Sequence, residues 1–144
     1  MLLSDTRKVA DIVNGSLSKK DEIRFKGICT DTRKRVSGRL FIALEGENFD
    51  GHLFTESAEE LGAKAIIAHK KVSTSLPTII VKDTEKAYQK LATWHCQSLS
   101  PQVIAITGSN GKTTTKNMLA AILSLHAPTL STKGNLNNLS LIHI

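Results

Sequence analysis

The residues best suited to chemistry lie in Ile104-Ala105-Ile106-Thr107-Gly108-Ser109-Asn110-Gly111-Lys112-Thr113-Thr114-Thr115-Lys116. A short apolar run, Val103 to Ile106, enters a turn bracketed by glycines. The turn ends in Gly-Lys-Thr-Thr and opens into a helix-like segment, the layout of a phosphate-binding loop. Such a loop aims backbone N–H groups at an anion, and the helix N-terminus adds partial positive charge. Lys112 would reach the outer phosphates, and the Thr113 hydroxyl suits Mg²⁺. A nucleoside triphosphate, with ATP first, is the leading ligand. The competing reading is a glycine-rich turn with a surface lysine, its threonines capping a helix.

The spacing is shorter than in the common motif, which places four residues between its first Gly and the Gly-Lys pair. Here only Ser109 and Asn110 separate Gly108 from Gly111, and Ile106 stands where the longer motif has Gly. That argues against an ordinary GTPase or AAA-type ATPase, and against a small-molecule kinase.

Composition narrows the class further. The 144 residues are 40% apolar and 22% charged, which is globular composition. The net charge of +6 would suit nucleic acid, but the basic residues are scattered and aromatics are only 4%, too few for a stacking platform. An anionic small-molecule site accounts better for the charge, and no nucleic-acid partner is expected. Cys29 and Cys96 have no CxxC neighbour and read as reduced, inert thiols, with no zinc site. No apolar run approaches the roughly 18 residues of a membrane span, and the N-terminus lacks the pattern of a signal peptide. The expectation is a cytoplasmic protein without membrane insertion, its partners small molecules and its state a monomer.

The elements that must position the loop follow from periodicity. Ser4 to Val13 reads as a helix capped by Ser4 or Asp5 and ended by Asn14-Gly15. Glu22 to Cys29 alternates like a strand, and Leu40 to Leu44 reads as a buried strand. Gly46 to His52 reads as a loop, and Phe54 to Leu61 as a helix closed by Gly62. Lys64 to Ala68 and Thr78 to Val81 are further strands, and Thr84 to Gln97 is a helix with Ala87, Tyr88, Leu91 and Trp94 inward. Ser98 to Gln102 is a polar break, which predicts domains at 1–100 and 101–144. After the loop, a helix from Lys112 to about Leu125 offers Met118, Leu119, Ile122 and Leu123 as a core face, and Ala127 to Leu130 begins another strand. Strands alternating with helices predict a mainly parallel α/β fold, its second domain barely begun. His69, His95 and His126 read as isolated surface residues.

Three stretches together carry a family resemblance. Ile106 to Lys116 resembles the ATP loop of the Mur ligases, the enzymes that build the peptide of the bacterial cell-wall precursor. Thr30-Asp31-Thr32-Arg33, followed by Gly38 to Leu44 and Glu45-Gly46-Glu47-Asn48-Phe49-Asp50-Gly51-His52, resembles the family's uridine-nucleotide domain. Gly134-Asn135-Leu136-Asn137-Asn138 resembles the asparagine-rich segment after the loop helix. Ser109, Lys116 and the Glu-Asn-Phe-Asp-Gly-His string are most similar to the member that adds D-alanyl-D-alanine to UDP-N-acetylmuramoyl-tripeptide. After Asn138 the chain departs from the family pattern, which continues Glu-Ile-Gly. Leu139 to Ile144 are therefore expected to be foreign to a truncated or chimeric frame, and His143 has no catalytic part.

The resemblance implies an α/β fold: a small N-terminal uridine-nucleotide domain, then the truncated start of a P-loop ATP-binding domain. It implies an ATP- and Mg²⁺-dependent amide ligase of peptidoglycan synthesis that works through an acyl phosphate, the present fragment being inactive alone. Lys112 and Thr113 would take the catalytic roles, Thr113 as the metal ligand. Thr107, Gly108, Ser109, Asn110, Gly111, Lys112, Thr113 and Thr114 would bind ATP. Thr32 would bind the UDP diphosphate, with Asp31 and Arg33 shaping that loop. Glu47, Asn48 and Phe49 would meet the uracil, and Asn137 and Asn138 would face the cleft. Asp50-Gly51-His52 either fixes the turn or binds directly. The alternatives are a sibling ligase that adds an amino acid at the preceding step, a folate- or cyanophycin-type ligase sharing the loop, and a nucleotide-binding module without chemistry.

Overall fold

The apolar runs at residues 40–44, 64–68 and 78–81 become neighbouring strands of one sheet. In a computed structural model, residues 4–19 and 22–132 are described. The Gly134–Asn138 stretch, with Asn137 and Asn138, and the terminal Leu139–Ile144 lie outside them. The elements are β1 (Ser4–Asp5), α1 (Thr6–Val13), β2 (Ser16–Leu17), β3 (Arg24–Phe25), β4 (Ile28–Cys29), β5 (Leu40–Ile42), β6 (Glu45–Gly46), β7 (Phe49–Asp50), a 3-10 turn (Gly51–Phe54), α2 (Thr55–Glu60), β8 (Ala65–Ala68), β9 (Thr78–Ile80), α3 (Thr84–Leu99) and α4 (Lys112–Ser124). They group into two compact units, Met1–Trp94 and His95–Ile144.

In the first unit the main sheet has the order β2-β9-β8-β5-β4. Strands β4, β5, β8 and β9 are parallel to one another, and β2 runs antiparallel at the β9 edge. Side chains alternate across the sheet with a period of two. Leu40, Ile42, Ala65 and Ile67 join Val9, Ala10 and Val13 of α1 and Ala87 and Leu91 of α3 in one core. Phe41, Ala43, Ile66 and Ala68 face the other way and pack with Ala58 of α2, Val36 and Ala63. Both faces are covered, which is why these strands read as unbroken apolar runs. Each large side chain taken from water contributes about 1.5–3 kcal/mol, and Leu40, Ile42, Ile66, Ile67 and Ile79 are all 0% exposed. The expected α/β class with a parallel-rich sheet is the class observed.

Local signals set the helix ends. The Asp5 side chain accepts from the Lys8 N–H at 2.7 Å and caps α1, and Asn14 ends that helix in the left-handed region at φ 56°. Gly62 follows α2 and donates to the Glu59 carbonyl at 2.9 Å.

Several expectations are corrected, beginning with Ser4 and Asp5, which form strand β1 ahead of α1 rather than its first residues. Glu22 to Cys29 is not one strand: Gly27, at φ +119°, divides it, so that β3 pairs antiparallel with β1 while β4 joins the main sheet. The stretch from Gly46 to His52 is not an irregular loop but a hairpin, β6–β7, running into the 3-10 turn. In the second unit Val103 to Ile106 and Ala127 to Leu130 are not strands. A strand needs a neighbour for its N–H and C=O groups, and the described residues of this unit contain none. For the same reason α4 has no buried residue, and Met118 and Ile122 of its expected core face are 65% and 57% exposed. Among the described residues, no helix is long and apolar enough to cross a membrane.

Candidate functional site

The second unit carries the phosphate-type loop at the N-terminus of α4. Gly111 occupies the N-cap position at φ +78°, and Gly108 sits at φ +147°. These backbone angles suit glycine and strain an L side chain, so the spacing of the two glycines has a conformational reason. The Thr115 N–H already donates to the Gly111 carbonyl at 2.9 Å. The earlier amides of the turn lack that intrahelical partner, as at any helix start. No acidic residue stands in the first turn. The Lys112 ammonium donates to the Gly108 carbonyl, and that of Lys116 donates to the Thr132 carbonyl at 2.6 Å. Lys112 is thus held over the loop it would serve. Amides, a lysine and a threonine with no competing carboxylate form a donor set that fits a polyphosphate with its cation.

In the first unit the remaining described site residues leave the carboxyl ends of neighbouring parallel strands. Asp31, Thr32 and Arg33 follow β4, and the hairpin bearing Glu47, Asn48 and Phe49 follows β5. The carboxyl edge is where open α/β sheets bind ligands. Asp31 captures Arg33: its carboxylate accepts from the Arg33 N–H at 3.0 Å and from Nε and Nη2 at 2.9 Å each. The side-chain hydrogen bond from Arg33, then the backbone one, lowers the Asp31 pKa to about 2, and the same pairing raises that of Arg33. Three of the five guanidinium N–H groups remain for an anion, and the Arg33 side chain is 88% exposed. Thr32 is half-buried between the two.

Glu47 and Asn48 form the two-residue tip of the hairpin, since Glu45 pairs with Asp50 and Gly46 with Phe49. Phe49 stacks on Phe54 with centroids 5.4 Å apart and planes 13° from parallel, and both rings stay partly exposed.

Beneath the tip lies a charged network that sequence reasoning missed. Asp50 accepts from the His52 N–H at 2.9 Å and pairs with His52 Nδ1 at 2.6 Å, while Lys70 Nζ reaches its second oxygen at 2.7 Å. The bond from Lys70, then that from the His52 backbone, holds the Asp50 carboxyl well below the usual carboxylate range. His69 Nε2 lies 2.9 Å from Glu45 Oε2, and Lys70 is 3.5 Å from the same oxygen. The rings of His52 and His69 meet edge to face at 4.3 Å, so His69 is no isolated surface residue. The Asp-Gly-His string pointed to part of this network, but nothing local pairs His52 with a residue 17 positions on.

Donor atoms of Glu45, His52 and His69 lie within 4.8 Å of one another, a spacing open to a metal ion. Lys70 supplies the cation between the two carboxylates, and His52 Nε2 accepts from the His69 N–H at 3.3 Å. A cavity of about 370 Å³ adjoins the network, lined by Asp50, His52, Thr55, Glu56, Lys70 and Ser73 among others, but not by Asp31, Thr32, Arg33, Glu47, Asn48 or Phe49. Cys29 is buried, and desolvation pushes its thiol up to about 11, which keeps it protonated and unreactive.

Residues 24–100 match the family model described as "Mur ligase family, catalytic domain", and residues 106–143 match "Mur ligase middle domain". The chain is similar to the UDP-N-acetylmuramoyl-tripeptide--D-alanyl-D-alanine ligase of Escherichia coli (strain K12). The two are 47% identical over 131 residues, which is 91% of this chain and 29% of the relative. Among solved structures it resembles a crystal structure of MurF from Acinetobacter baumannii, with TM-score 0.86 and 37% identity over 96% of this chain and 31% of that one. It also resembles the MurF ligase from Thermotoga maritima in complex with ADP, with TM-score 0.68 and 35% identity over 78% and 26% of the two chains. The chain spans about 30% of the length of the curated relatives it matches.

Proposed function

The chain belongs to the Mur ligase family, and we propose that it provides the uridine-nucleotide domain and the opening of the ATP domain of a cytoplasmic peptidoglycan ligase. The reaction is the addition of D-alanyl-D-alanine to UDP-N-acetylmuramoyl-tripeptide. The observation that carries the reading is the Gly108–Thr114 loop, with Lys112 poised over it at the start of α4. The substrate class comes from the relatives' names.

A carboxylate is a poor electrophile, because oxide would have to leave. When bound, ATP with Mg²⁺ supplies the phosphoryl group that makes the carboxylate an acyl phosphate open to attack by the dipeptide amine. The chain's residues bind and orient. Thr107 and the backbone from Gly108 through Ser109 and Asn110 to Gly111 cradle phosphate, and Lys112 neutralises the outer oxygens. Thr113 holds the cation, and Thr114 holds an inner oxygen. At the other end of the substrate, Thr32 and the remaining N–H groups of Arg33 take the diphosphate, with Asp31 fixing the guanidinium. Glu47, Asn48 and Phe49 take the uracil end, and Asn137 and Asn138 contact substrate or nucleotide.

One observation favours a narrower role for the 144-residue polypeptide on its own. The described part of its second unit is a loop and one helix with an open apolar face. Two substrates must be held in line for amide formation, so the isolated chain binds without turnover.

The test is to graft this chain over the matching segment of the E. coli relative and follow D-alanyl-D-alanine-dependent phosphate release. The graft is expected to turn over, Lys112→Ala to lower the rate at least about 100-fold, and the isolated chain to release no phosphate. A folded graft without D-alanyl-D-alanine-dependent phosphate release would overturn the assignment. Unchanged turnover in Lys112→Ala would remove the loop from the mechanism.

A further inference from the structure

The hairpin that presents Glu47, Asn48 and Phe49 has two residues in each strand and, among the described residues, pairs with no other strand. Hairpins of that size are not stable alone in water. At its base, moreover, two carboxylates face each other in register, Glu45 opposite Asp50, and like charges placed so are destabilising. Something outside the hairpin must hold it.

That support comes from the residues just past β8. Lys70 Nζ lies 2.7 Å from Asp50 Oδ2 and 3.5 Å from Glu45 Oε2, bridging the strands at the point of like-charge contact. His69 Nε2 binds Glu45 at 2.9 Å, and its backbone N–H reaches His52 Nε2 at 3.3 Å. We propose that Lys70, with His69, is a positioning residue for nucleotide binding: it ties the hairpin base to the carboxyl end of β8, so that the tip is already in place when the uridine end of the substrate arrives. The proposal rests on the reading above that Glu47 to Phe49 meet the uridine nucleotide.

The expected magnitude follows from population arithmetic. Apparent affinity falls by the fraction of molecules with a competent tip. If losing the tie lowers that fraction from near one to about a tenth, affinity falls about tenfold. The bridge needs a cation able to reach two carboxylates, so Lys70→Arg restores it and Lys70→Ala does not. Removing one of the opposed charges relieves the repulsion left behind, so Glu45→Gln added to Lys70→Ala recovers part of the loss.

The experiment uses the 144-residue chain with two readouts, calorimetric titration of UDP and amide hydrogen exchange. In Lys70→Ala, UDP affinity should fall about tenfold. Exchange should quicken at the amides of Phe49, paired with Gly46, and Gly51, bonded to the Leu44 carbonyl, while those of Phe41, Ile66 and Ile67 keep their protection, and Lys70→Arg should reverse both changes. Unchanged hairpin exchange in Lys70→Ala overturns the tie. Faster exchange with unchanged UDP affinity, in a chain that Phe49→Ala does disable, overturns the positioning role and leaves the tip's binding role standing. UDP affinity indifferent to Phe49→Ala and Asn48→Ala, or no UDP binding by the parent chain, sinks the reading of the tip and the positioning role with it.

Discussion

Gly51→Ala should cripple the first unit, because Gly51 is where the hairpin returns to the sheet. A Cβ there would stand 2.6 Å from the Leu44 carbonyl oxygen, 2.9 Å from the Leu44 nitrogen and 3.1 Å from the Ala43 carbonyl carbon. All three are backbone atoms beside β5, so no side chain can swing aside. Reaching an unstrained contact of about 3.5 Å would require a shift of roughly 1 Å. That shift opens the hydrogen bond from the Gly51 N–H to the Leu44 carbonyl, now 2.7 Å. The bond contributes about 1 kcal/mol and overpacking costs about 1–3 kcal/mol, offset by roughly 0.5 kcal/mol of chain entropy gained on replacing Gly. A net loss of about 1.5–3.5 kcal/mol moves a urea midpoint down by about 1–2.3 M for an m-value near 1.5 kcal/mol/M. The single tryptophan, Trp94, lies in this unit beneath the Lys8 ammonium at 4.8 Å and reports the transition by fluorescence. Gly46→Ala, in the same hairpin but with nothing within 4 Å of its Cβ, is the control and should not lower the midpoint, the entropy gain raising it by about 0.3 M at most. Coincident curves for Gly51→Ala and the parent would refute the steric argument.

Two further outcomes follow from the packing and the charges. Ile67→Ala, at a side chain with 0% exposure in a central strand, should cost about 2–5 kcal/mol, whereas Ile104→Ala, at 56% exposure, should stay within about 0.5 kcal/mol; equal losses in urea melts would contradict the assigned core. The Asp31 carboxyl should titrate near pH 2 by carbon-detected NMR, and Arg33→Ala should return it toward 3.8. Because its folded pKa is depressed, the stabilisation it brings is complete above about pH 4 and is lost as pH falls through 2; a parent-chain value near 4 would show that the Arg33 pairing does not hold in solution.

The sequence by itself determined what is local. Gly108 and Gly111 around Ser-Asn, followed by Lys-Thr, read as a glycine turn opening a helix, and Gly111 does cap α4, because turn geometry and helix-start chemistry depend only on neighbours along the chain. A cap at Ser4 or Asp5 and buried strands at Leu40 to Leu44 and Lys64 to Ala68 were legible for the same reason, since period and capping are short-range; the structure settles the cap as Asp5 and the strands as Leu40–Ile42 and Ala65–Ala68. Tertiary structure decided what needs a distant partner. Val103 to Ile106 is as apolar as Leu40 to Leu44, yet among the described residues only the latter has strands beside it to satisfy its backbone. Gly46 to His52 reads as a loop along the chain and folds as a hairpin, because Leu44 receives the Gly51 N–H and Lys70 neutralises the opposed acids at its base. His69 looks isolated until the parallel pairing of β5 with β8 carries it to Glu45 and His52. Coulombic and hydrogen-bonding contacts of this kind depend on separations of a few ångströms, and residues 17 or more positions apart reach them only after the sheet has set its register.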